Sequence, residues 1–251
     1  HFTRHQGLSF PCDRINITVM EDLGVELEEE GKSDATINRV TSAVSTVLHH
    51  CARRELCNQP PSFTKRKEDE HRLSYLTKDE FWRLHAAALD PYGRKDLADV
   101  MAVAAFTGMR QGELLKLKCR DVSLGEGLIH VGGLPDQRTK ARNYRAIPIH
   151  ERIISILSER LEYSNPNVRI FGDEWSDKDQ LLRAFKKTRK YVGLEESIVF
   201  HTLRHSFATW HAEAGTPMRT LMGLTGHKRV ETVLRYARHT DQAAVQAMSA
   251  I

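Results

Sequence analysis

The chain has 251 residues, 40% of them apolar and 28% charged, with 37 Lys and Arg against 33 Asp and Glu for a net charge of +4. That is enough apolar chain for one large or two modest cores, and it excludes disorder and collagen-like repetition. The longest apolar stretches, Val100 to Phe106 and Ile153 to Leu157, fall far short of the ~20 residues of a membrane-spanning helix, so a soluble protein with no membrane partner is expected.

The chain opens at His1 without an initiator Met. Phe2 to Phe10 lacks the basic-then-apolar pattern of a secretion signal, so the start reads as a fragment boundary with more sequence upstream. From Ser33-Asp34 onward, Ile37, Val40, Val44, Val47, Leu48 and Cys51 recur at helical spacing, which predicts one long amphipathic helix to about Leu56. The first part is expected to be all-helical. Asn58-Gln59-Pro60-Pro61-Ser62 breaks the pattern, and the polar run from Lys65 to Glu70 carries no apolar periodicity. A linker is therefore placed at about residues 58–72, its core at 65–72, between a helical domain over residues 1–64 and a second domain over 73–251.

In the second part, Thr77 and Glu80 have the spacing of a capping box ahead of a helix carrying Phe81, Leu84 and Ala88. A further helix runs from about Asp96 to Phe106 and stops at Thr107-Gly108, after which helix resumes through Leu114, Leu115 and Leu117. Leu128 to Val131 and Arg145 to Ile149 read as two strands around a polar loop, with Pro148 confining the second to an edge. Helices dominate again from Glu151. The fold class is mainly α with a small β-sheet, a helical domain followed by an α+β domain.

Charge divides unevenly: residues 1–71 hold 9 basic and 12 acidic residues, net −3, leaving 28 and 21, net +7, for residues 72–251. Such a surplus suits a nucleic-acid partner but also an ordinary solvated surface, so it must be read with motifs. Cys12, Cys51, Cys57 and Cys119 form no CxxC pair and no zinc-like cluster, which fits a reducing cytoplasm.

Three separated segments place basic or titratable side chains at helix starts and turns. In Thr107 to Leu114, Arg110 follows a Gly turn and Glu113 lies three residues on, close enough to hold the guanidinium or to form a plain surface ion pair. In His201 to Thr209, Thr202 is expected to cap a helix ending before Gly215, with His201 just outside it and Arg204 in its first turn, where free amides favour an anion. His201 and His205 are spaced as in HExxH, but position 202 is Thr, which removes the metalloprotease reading; capping or packing is the bland alternative. In Leu221 to Tyr236, the stripe Val230, Val233, Leu234 and Ala237 leaves Tyr236 about 110° from its centre, so that Tyr236 either projects toward a site or is structural. Together the set amounts to two arginines and two histidines around a phosphate with a phenol as nucleophile, a chemistry that positioning and positive charge can drive.

These segments resemble the tyrosine recombinase (phage integrase) family. Thr107 to Leu117 resembles its first motif, and His201 to Thr209 with the Gly226-His227 to Tyr236 segment resembles its second, including the nine-residue step from His227 to Tyr236. The resemblance runs from residue 72 to about 240 and implies a helical core-binding domain followed by an α+β catalytic domain. It implies that Arg110 and Arg204 clamp a scissile DNA phosphate, that Tyr236 attacks it to give a 3′-phosphotyrosyl bond and a free 5′-hydroxyl, and that His201 assists proton transfer. His227 is expected to hydrogen-bond a phosphate oxygen, Glu113 to support Arg110, and Lys140, between the two strands, to be the general acid for the leaving 5′-oxygen. Thr225 stands where the family has Leu before Gly-His, a change expected to alter local packing and leave His227 in place.

The implied activity is site-specific DNA recombination for integration or excision of a phage or mobile element, with neither metal nor nucleotide cofactor. The implied partners are double-stranded DNA with inverted half-sites, a homotetramer around a Holliday junction, and accessory DNA-bending proteins, in the cytoplasm of a bacterial host. The segment from Asp241 to Ile251 is expected to be a helix that docks on a neighbouring protomer or covers its own core. Two alternatives stand beside this: type IB topoisomerase-like strand relaxation, and a DNA-binding regulator of the same fold that does not cut.

Overall fold

In the computed structural model, residues 1–7, 9–68, 73–132, 144–162, 165–172, 174–175, 177–237 and 248 are described. The chain divides into two compact units, His1–Arg72 and Leu73–Ile251.

The first unit is built on α1 (Phe2–Gln6), α2 (Ile17–Glu29) and α3 (Asp34–Ala52). Asn16 caps α2 by accepting from the Val19 N–H at 3.0 Å, and Met20, Leu23, Leu27, Ile37 and Leu48 form the shared core. The third helix stops four residues before the expected Leu56. Glu55 turns into left-handed backbone at φ 61°, and Leu56, 69% exposed, has no core to enter. Within the run read as linker, Arg66 is tied to this unit: its backbone N–H donates to Asn38 Oδ1 at 2.8 Å, and its C=O accepts from Asn38 Nδ2 at 2.9 Å. The buried Asn38 amide is thereby satisfied, as burial requires.

The second unit begins with α4 (Lys78–Leu89), whose expected capping box forms: Thr77 Oγ1 accepts from the Glu80 N–H at 3.2 Å and Glu80 Oε2 accepts from the Thr77 N–H at 2.8 Å. Next comes α5 (Lys95–Thr107), buried on nearly every side, as a helix that is apolar all round must be. It packs against α4, α7 (Glu151–Leu161), α8 (Lys178–Val192) and α9 (Thr202–Glu213). The helix expected to reach Leu117 is the single turn α6 (Gln111–Leu114). Strands β1 (Val122–Ser123), β2 (Leu128–Val131) and β3 (Arg145–Pro148) form an antiparallel sheet in that order. Pro148 does lie on an edge strand, paired with Leu128. Two short helices, α10 (Met218–Thr225) and α11 (Val230–Ala237), follow. No helix among the described residues is long and apolar enough to cross a membrane.

Gly108 makes the turn that follows α5. Its φ is +61°, and a Cβ there would sit 2.4 Å from the Phe207 ring on α9. Gly108→Ala therefore combines left-handed strain with overpacking, and the expected cost is on the order of 3 kcal/mol, read as a fall in melting temperature of roughly 9 °C.

Candidate functional site

The Gly108 turn delivers Arg110 as the residue capping α6, in extended backbone at φ −69° and ψ 147°. Glu113 is the hub beneath it. Its Oε2 accepts from the Arg110 backbone N–H at 2.9 Å and its Oε1 from Arg110 Nη1 at 3.0 Å. From β3, the buried Arg145 donates to the same carboxylate through Nη2 at 2.7 Å and Nη1 at 3.2 Å. Its Nε donates to the Leu224 carbonyl at 2.8 Å near the end of α10. Arg110 Nη2 completes the link at 3.3 Å from the carbonyl of Gly226, whose φ of +69° ends that helix. One carboxylate thus fixes the geometry of two guanidinium groups and, through Arg145, of the segment before His227.

Arg204 arrives from the first turn of α9 and is 2% exposed. Nη1 donates to the Gly108 carbonyl at 2.7 Å and Nη2 to His227 Nε2 at 3.0 Å. Thr202, expected as the cap of α9, is its first helical residue instead, and His201 holds the cap position with no side-chain bond to the helix. The Thr202 hydroxyl accepts from the Val199 N–H at 3.0 Å and so ties down the approach to the helix. Arg189 on α8 holds the same approach by donating to the Glu196 and Ile198 carbonyls at 2.7 and 3.2 Å.

Tyr236 does not stand out from the stripe of α11. It is 2% exposed and packs with Phe207, Ala208, Leu221 and Val233, while Val230 and Leu234, expected to be core, are exposed. The helix is rotated so that the phenol points inward, where its Oη meets His205 Nδ1 at 2.9 Å. The phenol touches His205 rather than His201; the exposed His201 ring stands edge-on to His205 at 4.8 Å. The zinc spacing of these two histidines gathers no third ligand, since the grouping of three potential metal ligands among the described residues is His1, His5 and Glu30. Lys140 and the segment 241–251, apart from Met248, lie outside the described residues.

Electrostatically the cluster is short of negative charge: Arg110, Arg145 and Arg204 face one carboxylate. Burial alone would raise the Glu113 carboxyl, but the Arg145 hydrogen bonds and the Arg110 N–H hold it at about 2. Burial and then Arg110 lower Arg204 to about 10, which leaves it cationic at neutral pH. Burial followed by neighbouring positive charge lowers His205 and His227 to about 4 and shifts His201 in the same direction. Burial raises the Tyr236 phenol, against the pull of Arg204. Clustered cations that depress their neighbours' protonation make an anion site. A cavity of about 720 Å³ opens beside Arg110, and Lys116, Lys118, Arg120 and Arg169 line it, extending the positive surface from the cluster.

The depressed Glu113 has a stability consequence. A carboxyl whose folded pKa lies below its unfolded value of 4.5 stabilises the fold above that value and loses its contribution as pH falls toward 2. The stability of the second unit is expected to fall by about 3 kcal/mol from this group between pH 6 and pH 2. Glu113→Gln should show no such component in urea melts across that range, and at pH 7 should itself cost about 3 kcal/mol by leaving Arg145 buried without a counter-charge.

Arg145, His205 and Thr225 are the members that motif reading did not assign to the site. Arg145 shares the inward face of β3 with Ile147, and a cation at an inward strand position is the signal that could have marked it.

Comparison with known proteins finds that the Phage integrase family model matches residues 74–243. The chain is 27% identical over 227 residues to the tyrosine recombinase XerD of Listeria innocua serovar 6a, which covers 84% of this chain and 74% of that protein. It is 29% identical over 243 residues to the integrase of Escherichia phage P2, covering 95% of this chain and 66% of that one. Among solved structures, the Tn1549 transposon integrase in complex with a circular intermediate DNA superposes with a TM-score of 0.77 at 17% identity, over 100% of this chain and 91% of that chain. A lambda integrase dimer bound to a COC′ core site superposes with a TM-score of 0.72 at 21% identity, over 94% and 84%.

Proposed function

Because the chain belongs to the Phage integrase family, whose model spans residues 74–243, we propose that the cation cluster binds the scissile phosphate of double-stranded DNA and that Tyr236 is the nucleophile that cuts it. The protein is a site-specific DNA recombinase that breaks and rejoins strands. The observation that carries the reading of the site is convergence: Arg110, Arg204 and the segment that bears both His227 and Tyr236 are far apart in sequence, yet Arg204 touches His227, Arg110 touches the Gly226 carbonyl beside it, and Tyr236 touches His205 on the helix of Arg204.

In the first step the Tyr236 oxygen bonds to phosphorus and the bond from phosphorus to the 5′-oxygen breaks, leaving a 3′-phosphotyrosyl linkage. The phenol proton leaves by way of His205 and His201; burial and neighbouring positive charge lower both rings, which favours the unprotonated form that can accept it. Arg110 and Arg204 meet the charge on the non-bridging oxygens, and His227 donates to one of them. Lys140 donates the proton to the departing 5′-oxygen. In the second step a 5′-hydroxyl from a partner strand attacks the phosphotyrosyl phosphorus and releases the phenol. One phosphoester replaces another at each stage, so no nucleotide hydrolysis is needed.

The first unit serves as the core-binding domain. Inverted half-sites, a homotetramer around a Holliday junction and a role in mobile-element integration or excision complete the proposal, with the protein acting on DNA in the cytoplasm of a bacterial cell. Nicked duplexes tiled from DNA flanking its gene test it. An SDS-stable protein–DNA complex together with strands joined to a new partner is expected. Rejoining only to the original strand, with relaxation of supercoils in a closed circular plasmid carrying the same DNA, would instead indicate a topoisomerase. Lys140→Ala should slow cleavage of normal DNA by about 10²-fold or more but spare a substrate with a 5′-thio bridge, whose leaving group needs no proton; equal losses would remove Lys140 from the acid role.

A further inference from the structure

The hydrogen bonds around His227 determine which of its nitrogens carries the proton. The Thr225 hydroxyl has one hydrogen and donates it to the Leu221 carbonyl at 2.6 Å. Its oxygen also lies 2.8 Å from His227 Nδ1. With the hydroxyl proton committed to the carbonyl, that contact requires Nδ1 to carry the hydrogen and donate. At the other end of the ring, Arg204 Nη2 lies 3.0 Å from Nε2. A guanidinium only donates, so Nε2 must offer its lone pair. Both contacts select the same neutral tautomer, with Nδ1 protonated and Nε2 bare.

That tautomer conflicts with the role of a phosphate ligand. Phosphate oxygens accept hydrogen bonds and do not donate them, so His227 needs an N–H directed at the phosphate. Its one N–H is held by Thr225, which is fully buried and has its own proton fixed on the carbonyl. An incoming phosphate can take over the Arg204 donor, because a guanidinium prefers the anionic oxygen. Nε2 then faces a phosphate oxygen with two lone pairs opposed unless it is protonated.

We propose that Thr225 holds His227 in the Nδ1–H tautomer, so that His227 engages the scissile phosphate only as an imidazolium and takes up one proton from solvent as the phosphate enters. This rests on the reading that His227 meets the phosphate. In the DNA-free protein, burial and the guanidinium groups of Arg204, Arg110 and Arg145, with His201 beyond them, keep the ring neutral, and His205 on the same helix as Arg204 also faces it. Glu113 is already neutralised by Arg110 and Arg145, and the Tyr236 ring, 6.1 Å away, is uncharged. The phosphate is thus the one new negative charge in the pocket, and it favours the imidazolium. Thr225 is a positioning residue that sets which nitrogen is free to gain the proton.

Two measurements test this. Nitrogen-15 spectra of the histidine rings in the whole DNA-free chain should show His227 protonated at Nδ1, and protonation at Nε2 would overturn the proposal without any reference to cleavage. Single-turnover cleavage of a nicked duplex should then be followed against pH. The wild-type rate is expected to contain a component that falls about tenfold per pH unit above the His227 pKa in the complex. Thr225→Val, equal in shape but without the hydroxyl, frees the neutral Nε2–H tautomer and should lose that component. Thr225→Ser should retain it, and His227→Gln, whose amide donates at any pH, should lose it. Superimposable wild-type and Thr225→Val profiles would overturn the proposal. Absence of cleavage by the wild type at every pH would sink the recombinase reading instead, with the tautomer still open to the spectra.

Discussion

Tyr236→Phe is expected to eliminate the covalent protein–DNA adduct completely while leaving DNA binding and the fold in place. The phenyl ring remains among Phe207, Ala208, Leu221 and Val233, so the apolar packing survives. What disappears is one hydrogen bond, between the hydroxyl and His205 Nδ1, worth about 1 kcal/mol at a partly buried site. Activity and stability therefore separate widely in this variant. A gel-shift assay at moderate salt should give the wild-type affinity, and the SDS-resistant band should be absent. A surviving band would move the nucleophile elsewhere.

Arg204→Ala should reduce the rate of strand cleavage by about 10³-fold or more, the range lost when a guanidinium is removed from a phosphoryl-transfer site. Its position explains why the loss exceeds that expected from one surface contact. Arg204 is buried, is oriented by the Gly108 carbonyl and supports His227 at the same time. Removing it also leaves that carbonyl without its donor, so part of the effect appears in thermal melting. Arg204→Lys distinguishes the two contributions: an ammonium retains the charge but cannot present two separate N–H groups along fixed directions. The lysine variant should melt closer to the wild type and still cleave at least 10²-fold more slowly.

The sequence made much of this architecture readable because its strongest signals are local. Thr77 and Glu80 announce the start of α4 through backbone chemistry that needs no tertiary contact, and Gly108 announces the end of α5. Arg110, Arg204 and His227 are legible as candidates because each sits beside a turn or in the first turn of a helix, and Tyr236 is legible through its nine-residue step from His227 in the family resemblance. What escaped was set by packing. The extent of α3 and the short α6 depend on whether Leu56 and Leu117 find a core or a loop, which periodicity does not encode. The inward turn of Tyr236 depends on how α11 seats against α9 and α10; the helical wheel alone put it on a flank. Arg145 looked like a strand residue because its partner Glu113 is 32 positions away. His205 drew notice only for its spacing from His201, and its contact with the phenol spans 31 residues. Thr225 stood out as a substitution within a motif, but its effect on His227 required the direction of one hydroxyl proton.

Chemical identification of the bond made to DNA tests the assignment of Tyr236 as nucleophile. The adduct formed on a nicked duplex would be isolated, digested with nuclease and protease, and the nucleotide-bearing peptide sequenced by mass spectrometry. A 3′-phosphate esterified to Tyr236, with a free 5′-hydroxyl on the released strand, is expected. A 5′-phosphoryl linkage, or attachment to any other residue, would contradict it.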